Sequence, residues 1–149
     1  RIKIKDATGR DMNWVESICK SYKPDIVLLD MGDKFAKTGG FARMDEALKA
    51  NAVHARMIAK QHECAIFYMS QLSADAEGKV LLNQSMMEGS RTGKAAEADL
   101  MVLIAKNPVI EGQDEEDNQR HLNVVKNKLT GWHGVVHCEL QYQTARYTV

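Results

Sequence analysis

Asp25-Ile26-Val27-Leu28-Leu29-Asp30 is a continuous apolar run closed by an acidic residue. Such a run reads as a parallel strand that delivers one carboxylate to the carboxyl edge of a sheet, and that edge is where open α/β sheets bind ligands. A second apolar run, Ala65-Ile66-Phe67-Tyr68-Met69, brings Ser70-Gln71 to the same expected edge. A third, Val124-Val125-Lys126-Asn127-Lys128, ends in two lysines ahead of Thr130-Gly131. An acid, a glutamine and paired bases in this order point to a nucleotide-hydrolysing core.

The segments around these runs complete an α/β pattern. Asp6-Ala7-Thr8-Gly9 is a turn, and Asp11 is placed to cap a helix carrying Trp14, Val15, Ile18 and Cys19, which Lys23-Pro24 stops. Gly32 to Gly40 reads as a loop bearing Lys34 and Lys37. Residues 43–61 form an alanine-rich helical pattern with Leu48, Ala52, Val53 and Ile58 near a 3.6-residue period. The stretch 73–92 is long, polar and flexible in composition, and such segments within compact domains tend to be functional. A short helix at 94–97 leads into a strand at 99–105, and the acidic segment 108–120 reads as a loop. From His121 onward, alternation with Gly131 and Gly134 at a turn predicts a hairpin and one last short strand. Ile2-Lys3-Ile4 is strand-like. The expected architecture is one α/β domain over 1–149, its sheet mainly parallel with antiparallel strands at the carboxyl end.

Composition bounds the function. The 149 residues carry no net charge, so binding to a polyanion has to come from local clusters of bases. The three cysteines, Cys19, Cys64 and Cys138, are odd in number and set mostly in apolar segments, which predicts reduced core thiols in a cytoplasmic protein. No signal-peptide pattern and no membrane-length apolar run is present in the sequence. The chain opens at Arg1 rather than methionine and reads as a piece of something longer.

These motifs, in this order and over nearly the whole chain, resemble the carboxyl-terminal half of the RecA-like motor domain of DnaB-like replicative hexameric DNA helicases, especially those of bacteriophages. The resemblance implies a P-loop NTPase sheet lacking its phosphate-loop strand. It implies a parent enzyme that couples Mg-ATP hydrolysis at subunit interfaces to translocation on single-stranded DNA and duplex unwinding. ATP and Mg2+ are the implied cofactors. Single-stranded DNA, further copies in a hexameric ring and a primase are the implied partners, and the setting is the cytoplasm of a bacterial or phage-infected cell.

Residue by residue, Asp30 matches the Walker B aspartate that holds magnesium, and Gln71 matches the glutamine that reports nucleotide state. Lys126 and Lys128 match a K-x-R element whose second base reaches the neighbouring subunit's nucleotide, lysine here standing for the family's arginine and lacking its planar fork. Lys106 and Tyr142 fall at positions near the nucleotide base. Lys34, Lys37, Lys79, Arg91 and Lys94 are the bases placed to track DNA phosphates. Glu88-Gly89-Ser90-Arg91-Thr92-Gly93 resembles the family's D-L-R-x-S-G segment, with its acid and arginine displaced.

Gly89-Ser90-Arg91-Thr92-Gly93-Lys94-Ala95 imitates a phosphate loop, yet three residues rather than four separate its glycines and Ala95 stands where Ser or Thr is required. The family's phosphate loop and catalytic glutamate have no counterpart in the sequence, so the chain by itself is expected not to hydrolyse ATP. A missing strand between the second and third apolar runs is expected to leave open edges that favour self-association or a rearranged sheet. The alternatives are a RecA or RadA-type recombination ATPase and a non-catalytic DNA-binding or assembly module. A metal-dependent nuclease built on Asp30 and Asp33 would need a third carboxylate at the same edge.

Overall fold

The computed structural model describes residues 1–37, 39–41, 43–89, 93–108 and 117–149. The chain divides into two compact units, one of residues 1–71 and 87–97 and the other of residues 72–86 and 98–149.

In the first unit, helix α1 (Met12–Tyr22) starts where Asp11 accepts a hydrogen bond from the Trp14 amide at 3.0 Å. It ends where Lys23 adopts a left-handed conformation with φ of 46°, ahead of Pro24. Its buried stripe of Met12, Val15 and Cys19 follows the spacing of one helix face. Helix α2 (Met44–Gln61) has Asp45 and Glu46 in its first turn and Lys60 in its last, each favourable toward the helix dipole. It buries Ala47, Leu48, Ala52, Ala55 and Ile58. Strands β1 (Ile26–Leu29) and β2 (Ala65–Tyr68) pair in parallel, with Leu29 opposite Tyr68. Leu29 packs with Met12, Cys19 and Ile58 in the core, with Val27, Ile66 and Tyr68 packed against it. Ile26, Leu28 and Phe67 face solvent. Helix α3 (Gly93–Glu97) completes the unit against α2.

The second unit is an antiparallel sheet of β3 (Leu100–Lys106), β4 (Gln119–Asn127), β5 (Gly134–Gln141) and β6 (Arg146–Thr148), in that order. Strict alternation in β3 buries Met101, Leu103 and Ala105. The segment that composition marked as flexible is built in its described part. Short 3-10 turns form at Ala74–Ala76 and Gln84–Met86. The buried Asn123 side chain accepts from the Leu82 amide at 3.1 Å and donates to the Val80 carbonyl at 3.0 Å. Two hydrogen bonds of one buried asparagine fix this stretch to β4, which composition alone does not reveal.

Two further expectations change. Ile2-Lys3-Ile4 forms no strand. Among the described residues there are one parallel pair and one antiparallel sheet of four strands, so the arrangement is mixed rather than mainly parallel. The acidic loop falls largely on residues 109–116, which lie outside the described residues. Among the described residues no helix is long and apolar enough to cross a membrane.

The three cysteines are free and buried. Burial, and next the adjacent Cys64 thiol, push the Cys19 thiol up to about 11. A thiol whose pKa is raised by folding contributes fully below its unfolded value and loses that contribution as pH climbs toward the folded one. Stability is therefore expected to fall between about pH 9 and 11. Denaturant titrations of wild type and Cys19→Ala across that range test this, the variant giving the flatter profile.

Candidate functional site

The first unit supplies a strand-end edge. Beyond the β1 and β2 pairing the ladder runs on, with the Met69 amide donating to the Leu29 carbonyl at 3.1 Å and the Gly32 amide to the Met69 carbonyl at 2.8 Å. Asp30 and Ser70-Gln71 thus stand at adjacent strand ends. The Asp30 carboxylate is exposed and, among the described residues, engaged by no hydrogen bond or ion pair. It fits a hard divalent cation that takes one protein oxygen and keeps its waters. The Gln71 side chain is also exposed, while its carbonyl accepts from the Glu88 amide at 3.2 Å.

Directly after Asp30, Met31 turns the chain with φ of 52° into a 3-10 turn at Gly32–Lys34. The Tyr68 ring covers Gly32 so closely that a Cβ there would lie 2.5 Å from its Cζ. Gly32→Ala is expected to cost about 1–3 kcal/mol through overpacking, read as a lowered thermal midpoint, and Tyr68→Leu in the same background should restore part of it.

Asp33, in this turn, is the hub of a polar network. Its Oδ2 accepts from Lys94 Nζ at 2.8 Å and from the Ser70 hydroxyl, and its Oδ1 accepts from the Tyr68 hydroxyl at 3.3 Å. Lys94 Nζ also donates to Ser70 Oγ at 2.7 Å. Burial, with Asp33 as the second cause, drives the Tyr68 phenol well above its ordinary range. Lys94 corrects an expectation, because its side chain is 3% exposed and ion-paired rather than presented to a phosphate backbone. Lys34 and Lys37 are exposed on the turn and the residues after it, and Arg91 lies outside the described residues.

The second unit holds Lys79, exposed, and the two ends of its sheet. At one end, a bulge leaves Val125 without a partner on β3, and its carbonyl accepts the Gln84 amide at 2.9 Å. The extra residue sets Lys126 opposite Met101, on the face that carries Leu103 and Ala105. The backbone of Lys128 donates to the Asp99 carbonyl at 2.8 Å and its Nζ lies 3.6 Å from the Asp99 carboxylate. Asn127 stiffens the tip, its Oδ1 accepting from the amides of Leu129 at 3.0 Å and Thr130 at 3.1 Å.

Lys106 and Tyr142 belong to the opposite end. Lys106 is paired in register with Arg120, whose guanidinium donates to the Tyr142 hydroxyl at 2.7 Å. That hydroxyl donates in turn to the Asp117 carbonyl at 3.1 Å. β3 spans seven residues, so the two ends of this sheet lie about 20 Å apart. Lys106 and Tyr142 share one end of the sheet, and Lys126 and Lys128 stand at the other.

No family model and no curated protein matches the chain. Solved structures do match. Over 98% of its length the chain aligns with a DnaB-like replicative helicase, described together with its interactions with primase, at a TM-score of 0.82 and 18% identity. It aligns with the ATPase domain of the protein G40P at 0.84, again with 98% coverage and 18% identity. The chain has the fold of the aligned part of these proteins. It spans 36% of the first of those chains and 54% of the second.

Within the helicase ATPase fold, the sequence carried no local signal for the Asp33, Ser70 and Lys94 cluster, because its members come from three separated segments. Gly32 offered a fainter clue, as a glycine two residues after a strand-end acid. Among the described residues no three His, Cys, Asp or Glu side chains are grouped to hold a metal ion.

Proposed function

We propose that this chain is part of the motor domain of an ATP-dependent replicative DNA helicase of the bacteriophage type, working as a ring on single-stranded DNA and meeting a primase. The observation that carries this is that Asp30 and Gln71 follow two adjacent, parallel strands within a fold that matches solved helicase structures at TM-scores of 0.82 and 0.84.

Asp30, unencumbered at its strand end, holds the magnesium of Mg-ATP. Bound magnesium neutralises charge on the phosphate oxygens. Gln71 can donate toward a phosphate oxygen or water and accept at its carbonyl oxygen, so its side chain reads whether the terminal phosphate is there, while its backbone ties that state to Glu88. Lys128, on its stiffened tip, acts on the nucleotide of a neighbouring subunit, with Lys126 beside it. Lys106 and Tyr142 border the nucleotide base. Lys34, Lys37, Lys79 and Arg91 supply point charges to the DNA backbone. The sequence holds no G-x-x-x-x-G-K-[ST] element, so the grip on the phosphates comes from elsewhere in the polypeptide and the 149 residues alone do not turn over ATP. The apolar outer faces of β1, β2 and β3, bearing Ile26, Leu28, Phe67, Leu100, Val102 and Ile104, support a reading in which further sequence covers them.

The test is ATP hydrolysis by the complete gene product with and without single-stranded DNA. Magnesium-dependent turnover that rises severalfold with DNA is expected. Absence of hydrolysis under both conditions would remove the motor reading and leave a binding or assembly module.

A further inference from the structure

Lys94 is the one buried lysine or arginine among the described residues. Taking an ammonium out of water costs several kcal/mol unless it is paired and fully hydrogen-bonded, so its neighbours are informative. Lys94 donates to Asp33 and to Ser70, the Ser70 hydroxyl donates to the same Asp33 oxygen, and Tyr68 donates to the other. Asp33 thus accepts three hydrogen bonds, two of them at one oxygen, and the Ser70 hydroxyl also lies 3.5 Å from the Gln71 carbonyl. The three polar partners come from three different segments. Asp33 lies three residues after Asp30, Ser70 immediately precedes Gln71, and Lys94 lies three residues after Arg91 at the start of α3.

We infer that Lys94, Asp33 and Ser70 are positioning residues that couple the nucleotide edge at Asp30 and Gln71 to helix α3, so that DNA contact and ATP turnover respond to each other. The inference rests on the helicase reading above. A purely apolar contact between these segments would yield gradually to small displacements. A buried, charge-assisted cluster does not, since separating any one member leaves a charge or hydroxyl without its partner. Movement of the Gln71 strand end is therefore passed through Ser70 to Lys94, and displacement of α3 is passed back to the turn that carries Asp30.

The experiment uses the complete gene product and reads the ratio of DNA-stimulated to DNA-free ATP turnover. Asp33→Asn combined with Lys94→Met removes both charges at nearly constant volume, so no unpaired ion is buried and folding is expected to survive. The ratio in this double variant should fall at least tenfold, and in Ser70→Ala about threefold. Ile58→Val, a core truncation that lowers stability without touching the cluster, should keep the wild-type ratio and so separates coupling from stability. A folded double variant with the wild-type ratio overturns the inference. Should the double variant not fold, Ser70→Ala decides by the same criterion. Wild type without ATP turnover overturns the helicase reading itself, whereas stimulated wild type with equally stimulated variants overturns only the coupling.

Discussion

Asp30→Asn is expected to reduce ATP turnover by the complete gene product on the order of 100-fold or more, while its thermal stability stays within about 0.5 kcal/mol of wild type. The two halves of this expectation have separate causes. Asparagine keeps the shape of the side chain and replaces a charged oxygen pair by a neutral amide, a poor ligand for a hard divalent cation. The carboxylate is exposed and has no partner among the described residues, so the fold gives up nothing when its charge is removed. Steady-state hydrolysis and a melting curve on the same preparation check both. A large drop in melting temperature would mark Asp30 as a structural cap of the turn at Gly32, and retained turnover would take the metal away from this edge.

Lys128→Ala is expected to have the second largest effect, a loss on the order of 100-fold, smaller than the thousandfold or more of an arginine finger because lysine lacks the bidentate fork. Its pair with Asp99 is 3.6 Å long and about half exposed, so breaking it should cost no more than about 1 kcal/mol. Lys128→Arg should retain or exceed wild-type turnover if the base acts on phosphate. The decisive arrangement mixes two inactive variants. A Lys128→Ala subunit keeps its own Asp30, and an Asp30→Asn subunit keeps its own Lys128, so an interface between them holds one complete pair. Recovery of turnover on mixing, in proportion to the mixed interfaces, supports action in trans. Two variants that stay inactive together would confine Lys128 to its own subunit.

How far the sequence carried this reading depended on the range of the forces involved. The Asp25–Asp30 run, the helix at α2 and the hairpin after His121 were legible because apolar periodicity and turn residues are local signals. Gln71 was legible because its place follows from the strand before it. Lys94 was misread as a surface base, since charged residues are mostly exposed and nothing beside it in sequence announces Asp33 or Ser70 as partners. The bulge at Val125 is hidden for the same reason. Only the register of β4 against β3 shows that Lys126 stands with Met101. The order of residues 80–84 comes from Asn123 and Gln84, polar side chains whose partners are more than forty residues away in sequence.

The central claim, that this chain belongs to a DNA-unwinding motor, is tested most directly by strand separation of a forked duplex by the complete gene product. Displacement of the labelled strand with Mg-ATP, lost with a non-hydrolysable analogue and in Asp30→Asn, is the predicted result. An active, folded ATPase that leaves the fork intact while pairing homologous strands would contradict it and favour a recombination ATPase.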